Sequence, residues 1–309
     1  MTDLVVRKLP WTFDDHVPFQ WQPANPMVGI FGNLFTFFAI PFETYIVRAH
    51  LMYKDSITDP AVAEEADAFV RQEGQHSTAH RRHMNTLIAQ YPGLAETRDE
   101  VAELFEKLLR DKPVDFHVSY IANIEATFTP LFKVFLDHRE TIFGGADPRI
   151  ASLILWHFVE EIEHRSSGLI ISDHVTPHRW TRSKYAVGTF KHLYEVVVAI
   201  CEGFDRHVPE EDRGMSCVQT ITSDMSGVEM LARMRPKAYA RRTDLPAQAF
   251  YDVSSKEFVV MILRLIASQA PLHNPKDQPL PEWVDVWMAD YERGADMTTY
   301  FRSPAPAAV

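Results

Sequence analysis

Two stretches of this chain carry the same punctuation at the same spacing. Asp59-Pro60 stands 14 residues before Glu73, Asp147-Pro148 stands 14 residues before Glu161, and a histidine (His76 or His164) follows three residues later in each. Aspartate at a helix N-cap accepts from an otherwise orphaned backbone N–H, and proline in the first helical position has no N–H to orphan, so each pair opens a helix. Glu-x-x-His then sets a carboxylate and an imidazole on one face of that helix. Upstream of each lies one more glutamate in a largely apolar helical stretch, Glu43 within 40–47 and Glu125 within 118–132. The chain thus reads Glu … Glu-x-x-His twice. Only a fold that gathers four helices lets those charges share a partner.

The composition suits such a fold. Of 309 residues 46% are hydrophobic and 24% charged, which excludes a disordered or collagen-like chain and supplies a large core. Glycine is scarce, alternating strand patterns are hard to find, and apolar residues recur at helical spacing. Phe190, Leu193, Tyr194, Val197, Val198 and Cys201 make one such stripe. The pattern predicts helices over 27–54, 59–90, 98–110, 115–141, 147–174, 182–207, 215–236, 254–269 and 281–300, the first bent near Pro41 and the fourth near Pro130. The expected fold class is all-α: an N-terminal extension over 1–24, a helical bundle over 25–180, C-terminal helices over 181–302 packed on it, and a disordered tail over 303–309.

Charge and cysteine usage narrow the function classes. Lys+Arg total 31 against 42 Asp+Glu, a net charge of −11, which argues against nucleic acid and anionic membrane surfaces as partners. The stretch 28–47 is apolar but carries Asn33, Pro41 and Glu43, so it reads as a core helix rather than a membrane span. Residues 1–13 lack a secretory pattern, and the two cysteines, Cys201 and Cys217, suit a reducing compartment; the expected location is cytoplasmic. Against two cysteines stand 14 histidines, so any metal would be held by imidazole and carboxylate.

Glu43, Glu73, His76, Glu125, Glu161 and His164 together offer four carboxylates and two imidazoles. Two divalent ions close together repel, and four negative charges with bridging oxygens hold them, each ion keeping one nitrogen ligand. Burying four carboxylates without a cation would be very costly. This is the ligand set of ferritin-like di-iron and di-manganese proteins.

The segments Gln72-Glu73-Gly74-Gln75-His76-Ser77-Thr78-Ala79-His80 and Trp156-His157-Phe158-Val159-Glu160-Glu161-Ile162-Glu163-His164-Arg165 resemble the signatures of the bacterial family described as predicted metal-dependent hydrolases, of the ferritin-like superfamily. The resemblance covers about 20–190 and departs at Ile40-Pro41-Phe42-Glu43, where the family usually has Phe-Pro-x-Gly-Glu. It implies a ferritin-like four-helix bundle holding two metals. Iron is the expected metal, with manganese or a mixed pair as alternatives ahead of zinc. By analogy with the superfamily, Glu73 and Glu161 bridge while Glu43 and Glu125 are terminal.

Further residues lie near these positions. His80 is one turn beyond His76, and His157 one turn before Glu161; they are read either as extra ligands or proton relays, or as hydrogen-bond partners of ligating carboxylates. His83, Glu160 and Glu163 read as solvated or interhelical polar residues. Thr129, at i+4 from Glu125, either lines a dioxygen pocket, as in the hydrocarbon monooxygenases it resembles there, or bonds back to its own helix. Trp156, Tyr45 and Tyr120 are electron relays or core. Phe31, Phe35, Phe37, Phe38, Phe42, Phe128 and Phe132 pack the core, and any that line a channel imply an apolar substrate.

The expected function is activation of dioxygen by a di-iron site, with an electron donor, to oxidise a small, apolar organic substrate. The rival is hydrolysis by a dimetal-activated water, for which extra histidines such as His80 and His157 are the feature to watch. A non-enzymatic metal-storage role is a third reading. A homodimer through the C-terminal helices is also expected.

Overall fold

Both Asp-Pro signals open helices. The Asp59 carboxylate accepts from Ala61 N at 2.8 Å and the Asp147 carboxylate from Arg149 N at 2.9 Å, each with proline in the first turn. The computed structural model describes residues 4–13, 16–176, 178, 180–219, 250 and 252–302, and among them the long regular elements are helices, with no strand. In chain order these are α1 (Pro26–Tyr53), α2 (Pro60–Gln90), α3 (Leu94–Asp111), α4 (Val114–Asp137), α5 (Arg139–Ile142), α6 (Pro148–Glu163), α7 (Ser167–Val175), α8 (Trp180–His207), α9 (Glu210–Arg213), α10 (Ser255–Ala267) and α11 (Glu282–Glu292). The fold is all-α, as expected.

Four corners enclose the centre. α1 packs on α2, α4 packs on α6 and α7, and the two layers meet where α1 touches α4 and α2 touches α6 and α7. α3 and α8 cover one side, while α10 and α11 lie against α4. α1 is long and apolar enough by composition to cross a membrane, yet 78% of its most apolar stretch is buried inside the fold. Core packing accounts for that apolarity.

Three elements differ from the sequence expectation. The helix expected over 147–174 breaks after Glu163: His164 sits in the bridge region at φ −93°, ψ 14°, and α7 restarts at Ser167. After the break Gly168 meets α4, where a Cβ would lie 3.1 Å from Glu125 Cγ, tighter than ordinary contact, so a larger residue there would displace the Glu125 side chain. The helix expected over 115–141 is interrupted at His138. The one expected over 281–300 stops at Glu292, because Gly294 takes φ +81° and turns the chain out of the helix. Most of the helix expected over 215–236, and the tail over 303–309, lie outside the described residues.

Among its described residues the segment before α1 has no helix, yet it is far from loose. Trp11, Phe13, Val17, Phe19 and Trp21 are all buried. Side chains of the bundle hold its backbone: Thr86 donates to Phe13 O at 3.0 Å and Asn33 to Phe19 O at 2.8 Å. Its polar backbone groups thus find partners without secondary structure.

Candidate metal centre

All six sequence-predicted ligands meet in the middle of the bundle, and His157 joins them. They form two adjoining groups, Glu43–His76–His157 and Glu73–Glu125–Glu161–His164, within each of which one donor atom per residue lies inside 4.8 Å of the others. Every one of the seven is buried. Glu43 comes from α1, Glu73 and His76 from α2, Glu125 from α4, His157 and Glu161 from α6, and His164 from the break before α7.

Two glutamates face both groups. Glu161 turns Oε1 to His157 Nε2 at 2.8 Å and Oε2 to His164 Nε2 at 3.0 Å. Glu73 sets Oε1 3.3 Å from His164 Nε2 and Oε2 3.8 Å from His76 Nδ1. The other two stay on one side each: Glu43 Oε1 is 3.7 Å from His157 Nε2, and Glu125 Oε2 is 3.5 Å from His164 Nε2.

Glu43 Oε2, Glu73 Oε1, His76 Nδ1 and Glu125 Oε1 have no hydrogen-bond partner among the protein atoms. Orphaned buried polar atoms cost on the order of 1–3 kcal/mol each, more when charged. A hard, oxygen-preferring cation pair satisfies all of them. The residues therefore fit two divalent ions.

Without metal the charges redistribute. Burial holds the Glu43 and Glu125 carboxyls well above the usual carboxylate range, and burial together with Glu161 raises Glu73. Burial pushes Glu161 the same way but loses to the His164 and His157 imidazoles, which hold it below its ordinary value. Burial also opposes charge on His76 and His164. Hydrogen bonds donated to Glu160 and Glu73 overcome it at His76, and Glu161 and Glu125 overcome it at His164, so both stand well above the usual imidazole range.

The outward nitrogens of His76 and His164 are held. His76 Nε2 meets Glu160 Oε2 at 2.9 Å, and His164 Nδ1 meets Gln72 Oε1 at 3.1 Å. Glu160 is fully buried, not solvated, and so is His83. The signal for Glu160 was the run 150–159, apolar but for Ser152 and His157, which leaves the next turn no clear solvent side.

The two halves of the repeat are chemically unequal. His157 stacks on His76 with centroids 4.0 Å apart, whereas its counterpart in the other half, Phe69, packs edge-on against His164 at 5.0 Å. One half therefore offers an extra nitrogen. The family model for predicted metal-dependent hydrolases matches residues 5–243, well over half the chain. The chain belongs to the predicted metal-dependent hydrolase family. In this hydrolase-family chain the matched span takes in all seven cluster residues. No curated protein and no solved structure matches it.

Beyond the clusters a line of imidazoles leads away from the hydrolase-family centre. His157 Nδ1 meets His80 Nε2 at 2.8 Å, His80 Nδ1 meets Thr36 Oγ1 at 2.9 Å, and Thr36 Oγ1 meets His83 Nδ1 at 3.1 Å. His80 thus lies outside the candidate ligand groups, one hydrogen bond away. Burial, helped by His76 at His157 and by His157 at His80, lowers all three imidazoles, His157 and His83 to about 3. They are neutral at pH 7. Thr129 is buried with no hydrogen-bond partner, so its hydroxyl does not bond back to its helix. Tyr45 and Tyr120 pair with His117 and His192, each at 2.8 Å, inside the helix interfaces. Phe35 packs on His157 at 4.7 Å and on Phe132 and Phe158. On the outer side of α1 a cleft of about 280 Å³ is lined by Phe37, Ile40, Pro41 and Met84 beside Arg48 and Arg81.

His83 gives a clean stability test because it touches none of the seven. Its pKa is lowered in the folded chain, so the unfolded chain binds the proton first and stability falls as pH drops below about 6.5 towards 3. One such group contributes about 1.4 kcal/mol per pH unit. His83→Gln is expected to flatten the pH dependence of the unfolding free energy by that slope between pH 6 and 4, read by urea titration. Parallel curves for the two proteins would rule out a neutral buried His83.

Proposed function

We propose that this chain is a dimetal-dependent hydrolase of a small molecule, its ion pair shared by Glu43, Glu73, His76, Glu125, His157, Glu161 and His164. The observation that carries the reading is the pair of carboxylates, Glu73 and Glu161, with one oxygen on each side, joined by a third imidazole. The family's description points to the same chemistry. When bound, two divalent ions supply Lewis-acid polarisation of the substrate and a water acidified towards neutrality.

The chain's residues divide the remaining work. Glu73 and Glu161, each facing both groups, would hold both ions, Glu43 and Glu125 would each hold one, and the buried shell keeps bulk water from competing. His157, His80, Thr36 and His83 form a proton path. With His157 Nε2 left free to hold an ion, His157 Nδ1–H donates to His80 Nε2, His80 Nδ1–H donates to Thr36 Oγ1, and the Thr36 hydroxyl donates to His83 Nδ1. Every donor in the line is then fixed by the one at His157.

Thr36→Val removes the hydroxyl and keeps the shape. It is expected to lower kcat on the order of 100-fold with metal content unchanged. Unchanged turnover would remove the proton path.

A second reading is favoured by the carboxylate-rich donor set and by Phe35 packed on His157: a di-iron, di-manganese or mixed centre that activates dioxygen, fed by an electron donor, to oxidise an apolar substrate. One experiment separates the two. Apo protein is loaded anaerobically with two equivalents of ferrous, manganous or zinc ion, assayed against ester and phosphoester panels, then exposed to dioxygen. Hydrolysis in the absence of dioxygen supports the hydrolase. Dioxygen uptake by the ferrous form without any ester or phosphoester turnover overturns it in favour of the oxidase.

A further inference from the structure

We infer that Arg7, from the non-helical N-terminal segment, is a positioning residue that sets both metal-binding imidazoles at once; this rests on the dimetal reading above. Arg7 is buried at 3% exposure, between the carboxylates of α6 and the rings of Trp287 and Tyr291 on α11. Its Nη1 donates to Glu160 Oε1 at 3.0 Å and to Glu163 Oε2 at 2.9 Å, and its Nη2 donates to Glu163 Oε1 at 2.9 Å.

Each carboxylate leads to one imidazole. Glu160 Oε2 accepts from His76 Nε2 at 2.9 Å. Glu163 Oε2 accepts from Gln72 Nε2 at 2.6 Å, and Gln72 Oε1 accepts from His164 Nδ1 at 3.1 Å. The direction of every bond follows from chemistry. Arginine has only donors, so Glu160 and Glu163 act as acceptors. The Gln72 amide nitrogen faces two acceptors, Glu163 and Val5 O, the latter at 3.0 Å, so its oxygen must face His164. His76 is therefore protonated on Nε2 and presents Nδ1 to the centre, while His164 is protonated on Nδ1 and presents Nε2. One guanidinium fork thus fixes the tautomer and the ring plane on both sides of the metal pair. Such outer partners hold ligand imidazoles ready, and their loss commonly lowers metal affinity by 10- to 100-fold.

The arrangement makes a pattern that a merely structural arginine would not. Glu160 serves His76 alone and Gln72 serves His164 alone, whereas Arg7 stands behind both. The test is stepwise cobalt(II) binding to the full-length apo protein, followed by chelator competition and the visible ligand-field spectrum. Wild type is compared with Arg7→Met, Arg7→Lys, Glu160→Gln and Gln72→Leu. Arg7→Met is expected to weaken both binding steps, each by about 10- to 100-fold, and to shift the spectrum of both ions. Glu160→Gln and Gln72→Leu are expected to weaken one step each, and not the same one. Arg7→Lys keeps the charge without the fork and is expected to remain weakened at both steps.

If Arg7→Met does not fold, Arg7→Lys carries the comparison. Nitrogen-15 imidazole shifts of the loaded wild type report the tautomers independently. The opposite tautomer at either His76 or His164 overturns the inference. So does a wild type that binds two ions while the Arg7 variants lose neither step or only one. A wild type that takes up no ion pair overturns the dimetal reading itself, and the inference with it.

Discussion

Glu161→Ala is expected to leave the protein unable to hold either ion of the pair. The reason is geometric: Glu161 Oε1 lies in hydrogen-bond contact with His157 and Oε2 with His164, so one side chain serves both groups. Glu125→Ala is expected to lose only one ion, because Glu125 approaches His164 and not His76 or His157. Elemental analysis after loading and desalting counts the difference as two, one and none for wild type, Glu125→Ala and Glu161→Ala. Stability carries the same information. An ion held at a thousand times its Kd adds about 4 kcal/mol to the folded state. Wild-type unfolding should therefore move to higher temperature on loading, and Glu161→Ala unfolding should not move. A Glu161→Ala protein that still holds two ions would remove Glu161 from the bridging role, and a Glu125→Ala protein that does so would contradict its place among the ligands.

Metal uptake is expected to expel protons, and the affinity to fall steeply in acid. In the metal-free chain His76 and His164 stand well above the usual imidazole range, and burial holds Glu43 and Glu125 well above the carboxylate range. All four compete with the ions for the same lone pairs. Glu161 stands below its ordinary value, is ionised already and releases nothing. The sign follows directly: groups that hold protons more tightly in the apo fold must lose them on loading, so lower pH favours the apo form. Each proton displaced lowers the apparent affinity about 10-fold for every pH unit over which its group is protonated in the apo fold. Calorimetric titration in buffers of different ionisation enthalpy counts the protons. Affinity that stays constant between pH 7 and pH 6 would show that the four groups are not displaced from protonated forms.

The candidate metal-binding groups were legible because helical spacing is short-range physics. Asp59 and Asp147 cap locally, Glu-x-x-His sets its two donors on one face locally, and the repetition brings out the glutamates upstream. What closes the centre is long-range. Arg7 reaches Glu160 across 153 positions, and Gln72 reaches His164 across 92, and no local pattern encodes either contact. The break at His164 escaped because the sequence there still reads as helix, and the close approach of Gly168 to Glu125 beyond it is a long-range contact. For Glu160 and His83 the sequence left solvated and interhelical positions open, and the buried contacts with His76, Arg7 and Thr36 place both between elements. His157 lay between two readings, and its place beside Glu43 and His76 was decided by tertiary packing. The buried N-terminal segment escaped for the same reason, since nothing in its sequence announces which surface it covers.

X-ray absorption at the metal edge, on protein loaded with two equivalents of manganese, tests the shared centre most directly. Two ions bridged by Glu73 and Glu161 should give a metal–metal scattering shell at about 3.5–4 Å together with nitrogen scattering from imidazole. Two ions per chain with no metal–metal shell, or a single ion in an oxygen-only environment, would contradict a bridged pair at this site.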